Sequence, residues 1–435
     1  MPENPSISNK DMHATKKEQK NSTFWMYASL PGALASGPLS TLITLYILKI
    51  GGGILNVAYA ITLSSAITIP AVFLWGYVTD LLNKRKVLIV LSYLFTSFLI
   101  FSLFFIKNVA GATLVYAAIA FVGAASGAPL NLLVMETGEK DRWAHNFSIL
   151  QMISGIGSTV GLLVAWVVTG VSTLNVLLIV LAGSALISAV LAAKLIKDPK
   201  KLGTSISLYD GAQAFVYRLV AMPGMIIKIP NPENIRNIFK FHGFASNEKR
   251  FVLVFYLISF IFFFSSAIFN TEYAVSLNFG GFSESLIFFL MLISMVVQTS
   301  IFYYYDRFTK SINNMVVSSI SLLGRGSGYI FVGLFFVFFR GIAFIAGNFI
   351  FYILASGIAY AIYYPTSYAM LFKTLAGKRK GSTMGVYSAV IGVGTLAGAL
   401  VSGGLAVAYG FGMTFIIAGG MTMLASYMFR FLPGI

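Results

Sequence analysis

Apolar runs of membrane-crossing length recur along this chain, separated by short polar turns. Residues 54–78 carry no charged side chain, and Asp80, Lys84, Arg85 and Lys86 follow directly. About 20 apolar residues in a helix cross the hydrocarbon core of a bilayer. Runs of this kind define helices at about 24–49, 54–78, 87–106, 112–133, 147–169, 171–196, 251–277, 283–303, 327–339, 343–371, 381–409 and 411–429. The ninth is the shortest, because Arg325 interrupts the apolar stretch that begins at Met315. The expected fold class is therefore an all-α polytopic membrane protein with 12 transmembrane helices.

Composition excludes the main rivals. Only 10% of the 435 residues are charged, against about a quarter in soluble domains. The net charge of +16 could suit nucleic acid, but the bases sit in turns between apolar runs, where they set membrane orientation. With Cys 0, disulfides, thiol catalysis and Cys-ligated metal are excluded, and His13, His145 and His242 lie in separate polar segments. Neither a Gly-x-x-x-x-Gly-Lys-Ser/Thr loop nor a His-Glu-x-x-His run occurs, so ATP-driven and zinc-hydrolase chemistry have no support. No enzymatic activity, cofactor or metal is expected. Residues 1–23 are polar, with no apolar core for a cleavable signal, and read as a cytoplasmic tail.

Orientation follows from the charges. With both termini inside, only Lys49, Lys107 and Arg340 among the 30 bases, and Glu272 and Glu284 among the 14 acids, fall on the outer side. That asymmetry satisfies the positive-inside rule. It implies cytoplasmic termini, and the plasma membrane is the expected location.

The pattern then repeats. Pro129 is followed by a charged loop and the glycines Gly155, Gly157 and Gly161. Pro365 is followed, at nearly equal spacing, by a basic loop and Gly392, Gly394 and Gly398. Asp80 and Asp306 each stand after the second helix of their half. The expected organisation is two pseudo-symmetric six-helix bundles, 24–196 and 250–430, with a short C-terminus at 431–435. Residues 197–249 form a polar, basic linker lying on the inner membrane face. Asn231-Pro232-Glu233 has the residues of a helix start, and 209–222 places Ala212, Phe215, Leu219 and Met222 at helical spacing. A regulatory or partner-binding role for this linker is the minority alternative.

The turn after residue 76 carries the most specific signal. Gly76, Asp80 and Arg85, with Lys84 and Lys86, resemble the glycine, acid and base positions of the loop between helices 2 and 3 in the major facilitator superfamily. Asn83 stands where a glycine is common, and the second copy, Tyr305-Asp306-Arg307, lacks the glycine. The resemblance covers roughly 24–196 and 250–430. It implies two halves that rock against each other and a charge lock at the inner mouth. In that lock Asp80 would face the turn at Gly381-Ser382-Thr383, and Arg85 would pair with Glu136 or Asp141, with Lys84 and Arg142 nearby. The plain alternative is a set of positive-inside anchors.

Small residues four apart, Gly157 and Gly161 on helix 5 and Gly394 and Gly398 on helix 11, allow close helix contact and mark helix packing or gating surfaces. Proton-coupled drug antiporters of the superfamily usually carry a proline after the second glycine of a helix-5 repeat, where this chain has Leu162. Glu272, late in helix 7 near Asn270 and Tyr273, is the candidate for proton coupling, because an acid within the membrane is a functional hypothesis by default. The alternative is a carboxylate snorkelling to the headgroups. Candidates for a neutral, aromatic substrate cavity are Tyr59, Asn131, Gln151, Asn270, Gln298, Asn348, Tyr360, Tyr364 and Thr366.

The expected function is a secondary transporter, acting as a monomer in the lipid bilayer on a small-molecule solute, with protons as a coupling partner. A proton-coupled efflux antiporter for lipophilic compounds and a transporter-like sensor or interaction platform are the alternatives.

Overall fold

The computed structural model describes residues 24–82, 84–137, 143–198, 246–309, 313–374 and 380–432. The expected helices of 197–249 and the whole residue 1–23 tail lie outside the described residues, as do 83, 138–142, 310–312, 375–379 and 433–435. Among the described residues there is no β-strand.

The first span, α1 (Phe24–Lys49), is a 3-10 turn followed by two helical pieces that meet at Gly37 and Pro38. Then come α2 (Ile54–Leu82), α3 (Arg85–Ser102), α4 (Val109–Thr137), α5 (Trp143–Val171) and α6 (Leu174–Leu195). The later helices are α7 (Ser246–Phe279), α8 (Glu284–Thr309) and α9 (Asn314–Phe338). In α10 a π-helical segment, Ile353–Ala359, joins the α-helices Gly341–Tyr352 and Tyr360–Thr374. Helices α2, α4 and α10 run on through Pro70, Pro129 and Pro365.

Eleven described helices are long and apolar enough to cross a membrane, and the last of them covers 45 residues, Tyr387–Phe431. A continuous helix of that length would measure roughly 67 Å, about twice the hydrocarbon core. Inside it, Gly410 has φ +78° and ψ 164°, a left-handed, non-helical conformation that favours glycine. The segment is therefore two helices, α11 (380–409) and α12 (411–428), which completes twelve.

One expectation needs correcting. Helix 9 starts at Asn314, not near residue 327. The Asn313 side chain caps it, accepting the Met315 backbone N–H at 2.9 Å. Arg325 accordingly lies inside the helix. Helices α4, α5 and α7 also extend several residues beyond their apolar runs, as polar ends can while they reach toward water.

The described residues divide into two compact units: those within 1–42, 70–107 and 114–205 form one, and those within 43–69, 108–113 and 206–435 the other. In the first unit α5 crosses α1 closely at Gly157. A Cβ on Gly157 would meet the Leu30 carbonyl oxygen at 2.6 Å and the Ala33 Cβ at 2.8 Å. Hydroxyls stitch other pairs. Ser97 donates to the Ala182 carbonyl at 2.7 Å, and Ser92 to that of Val122 at 2.9 Å. The Trp75 indole N–H donates to the Phe121 carbonyl at 2.9 Å. Met26, Ile89, Leu133, Val134, Ile153 and Ala192 form the core they surround.

In the second unit α7 and α11 repeat the same device. A Cβ on Gly394 would lie 3.0 Å from the Phe260 carbonyl oxygen, and one on Gly398 2.8 Å from the Ala267 Cβ. Helices α9 and α12 meet at Gly326 and Gly419, where a Cβ on the first would meet the Gly419 carbonyl oxygen at 2.8 Å and one on the second the Gly326 carbonyl oxygen at 2.6 Å. The first half of α2 joins this unit: a Cβ on Gly403 would meet the Ala58 Cβ at 2.6 Å, and one on Gly392 would touch Ile69 at 3.4 Å.

Candidate functional site

The polar centre of the second unit is built on α7, α9, α10 and α11. Glu272 sits two turns before the end of α7 and is 0% exposed. Its Oε1 accepts the Ser402 hydroxyl of α11 at 2.8 Å. Its Oε2 is buried with no hydrogen-bond partner among the described residues. The carboxyl group thus faces the α7–α11 seam that Gly394 and Gly398 draw tight, and it does not snorkel outward. A gain or loss of its proton would change the charge held between two helices by one unit, where charge is expensive.

Beside it a column of rings crosses three helices. Tyr352 of α10 stacks on Tyr273 of α7 at 4.2 Å, Tyr273 on Phe269 at 4.9 Å, and Phe269 on Tyr329 of α9 at 3.8 Å. Asn348 of α10 is fully buried, donating through Nδ2 to the Phe344 carbonyl at 2.9 Å and receiving the Tyr273 hydroxyl at 3.5 Å. The Tyr273–Asn348 contact ties the neighbour of Glu272 to α10.

Below the column lies a group that the sequence reading placed outside any helix. Arg325 is 3% exposed. Its guanidinium carbon stands 4.9 Å from the ring centre of Tyr360, 5.2 Å from that of Tyr329 and 5.3 Å from that of Phe262. Nη1 donates to the Ala355 carbonyl, in the π-helical part of α10, at 3.1 Å. Asn313-Asn314 as a helix start ahead of an apolar run was the available signal that this arginine is intramembrane.

The proposed cavity residues fall on several helices. Asn131 and Gln151 lie exposed on α4 and α5 in the first unit. In the second, Tyr59 and Asn270 are exposed and Gln298 is half-buried. Tyr360 and Tyr364 stand together, ring centres 5.5 Å apart. Thr366 is buried and its hydroxyl donates to the Ile362 carbonyl of its own helix at 2.7 Å. Arg325 and Glu272 are both buried inside this unit.

At the turn between α2 and α3, Gly76 is half-buried and a Cβ there would meet nothing within 4 Å. Lys84 occupies the N-cap position of α3. Arg85 is buried, and its Nη1 donates to the Thr79 carbonyl. The Lys86 backbone N–H donates to Asp198 Oδ1 at 2.9 Å, so a carboxylate sits on the first turn of α3. The side chains of Asp80, Glu136, Ser382 and Thr383, and residues Asp141 and Arg142, lie outside the described residues, and so does the charge lock they would make. Among the described residues no three His, Cys, Asp or Glu cluster as a metal site.

A family model described as the Major Facilitator Superfamily matches residues 25–349 and 320–434. No curated protein matches the chain. Among solved structures, the nucleoside transporter NupG aligns with a TM-score of 0.70 at 15% identity, covering 95% of this chain and 98% of that one. A D-xylose-proton symporter aligns at 0.66 and 15% identity, covering 97% and 98%. A peptide transporter POT mutant in complex with sulfate aligns at 0.68 and 12% identity, covering 94% of each chain. At these identities the likeness is one of fold.

Proposed function

Because this chain belongs to the Major Facilitator Superfamily, we propose that it moves a small organic solute by alternating access, with proton movement coupled through Glu272. Family membership makes it a multi-pass membrane transporter and not an enzyme. The observation that carries the coupling is the buried carboxyl group with one oxygen on Ser402 and the other without a described partner. Since α7 and α11 touch backbone to backbone at Gly394 and Gly398, a change of charge on Glu272 acts directly on their contact. A proton-symporting sugar carrier among the structural relatives supports the same reading.

The remaining parts of the proposal follow the sequence. The solute-holding groups include the aromatic pair Tyr360 and Tyr364, of which Tyr360 stands over the buried Arg325. Asp80, Arg85 and the acids of the loop after α4 lock the inner mouth. The protein works as a monomer in the plasma membrane with both termini cytoplasmic.

Thermal unfolding of the purified protein against sugars, amino acids, carboxylates, nucleosides and lipophilic cations tests the substrate, since a bound ligand stabilises the fold by mass action. Stabilisation confined to one solute class, followed by saturable flux in liposomes that responds to a pH gradient, is the expected result. Scattered stabilisation by unrelated lipophilic compounds would replace uptake with efflux. Binding with no flux would replace transport with sensing.

A further inference from the structure

We propose that Arg325 receives one negative charge inside the C-terminal helices, carried by a carboxylate on the transported solute or by a free monovalent anion. Arg325 is the twelfth of the 25 residues of α9, which places it near the middle of the membrane-spanning stretch. A charge at that depth is costly and points to a partner. Among the described residues no carboxylate meets it, because Glu272 is bonded to Ser402 instead.

The surroundings are short of acceptors. A guanidinium carries five N–H donors and no acceptor, yet its only described hydrogen bond is the one from Nη1 to Ala355. Nε is buried without a partner among the described residues. The three ring faces stabilise the cation but accept none of its in-plane N–H groups. Among the described residues the hydroxyls of Ser266 and Tyr329 are likewise buried without a hydrogen-bond partner. Ser266 and Arg325 lie beside the Tyr329 hydroxyl without reaching hydrogen-bond geometry. An arginine fork with spare N–H groups beside two buried hydroxyls suits an anion, and a carboxylate best, since it accepts two parallel N–H bonds from one guanidinium.

The backbone agrees. Ala355 lies in the π-helical segment of α10, and π-bulges are frequent at functional sites because the regular carbonyl ladder is interrupted there. Tyr360 covers the guanidinium from the side of Tyr364, which is 37% exposed. Displacement of the Tyr360 ring would open the box to an arriving anion.

The proposal names a charge class for the solute of the transport reading, but its test does not require transport. Thermal unfolding of the full-length protein is followed while sodium chloride, formate, acetate or benzoate replaces a bulky sulfonate at constant ionic strength. A saturable rise in Tm is expected for wild type. Arg325→Gln should abolish it, and Arg325→Lys should weaken apparent affinity about tenfold or more, because the fork is lost. A rise with carboxylates that competes with the transported solute identifies the solute's own carboxylate. A rise with chloride alone identifies a free anion. Absence of any saturable effect in wild type overturns the proposal whether or not the variants fold, and so does an unchanged effect in folded Arg325→Gln. Flux measured on the same preparations keeps the two readings apart, since intact anion binding without flux sinks only transport.

Discussion

Hydroxyls stitch helices in both units, as Ser265 with Thr422 in the second, and the units differ in the charge held deep within a span, since the first unit's buried arginine, Arg85, stands at the first residue of α3. In the first, serine hydroxyls and one indole N–H reach across helix pairs to backbone carbonyls, as Ser97 does to Ala182 and Trp75 to Phe121. These donors are neutral, local to one helix pair and satisfied. In the second, a carboxyl group and a guanidinium share an aromatic interior, and each retains a buried atom without a described partner. Hydroxyl stitches fasten helices whatever the protein does. Unmatched intramembrane charge is too costly to persist as fastening alone, so the second unit is where chemistry that changes during a cycle belongs. The glycine seams are alike in both units, with α5 on α1 and α11 on α7; what differs is the charge placed behind them.

The largest expected effect tests that likeness. Gly157→Val and Gly398→Val should each lower stability by about 1–3 kcal/mol, the usual cost of overpacking, read as similar falls in Tm of the purified protein. Gly404→Ala, where a Cβ would meet nothing within 4 Å, should leave Tm unchanged or slightly raised. A large loss there would break the seam account.

A smaller effect separates the two kinds of polar contact. Ser402→Ala removes the described hydrogen bond to Glu272 and should shift the pH dependence of flux with a several-fold loss of rate, while the protein stays folded. An unaltered pH profile would detach Ser402 from coupling. The smallest change is expected for Ser97→Ala, about 0.6 kcal/mol of stability, typical of an interhelical hydrogen bond in a membrane, with flux at the wild-type level. A strong flux defect in that variant would erase the contrast between the units.

Much of this architecture is legible in the chain. The apolar runs and the glycine repeats are local properties, and the break between the last two helices falls at Gly410 as the runs suggest. Arg325 was not legible as an interior residue, because a charge lowers the very hydropathy that marks a span. Its burial depends on Phe262 and Tyr360, which arrive from two other helices. Asn348 and Thr366 show the converse. Their residue types suggest ligands, but each donates to a carbonyl four residues earlier in its own helix, a choice no residue type reveals. Glu272 could be singled out by its lone position in an apolar run, whereas its partner Ser402 is one hydroxyl among many until α7 and α11 are brought together.

Proton movement itself tests the central claim most directly. The protein is reconstituted in liposomes holding a pH-sensitive dye, and the solute identified by the stability screen is added outside. Wild type is expected to change the internal pH as solute enters, and Glu272→Gln to bind the solute without moving protons. Unchanged proton movement in Glu272→Gln, or solute flux in wild type that leaves the internal pH untouched, would contradict coupling through this carboxyl group.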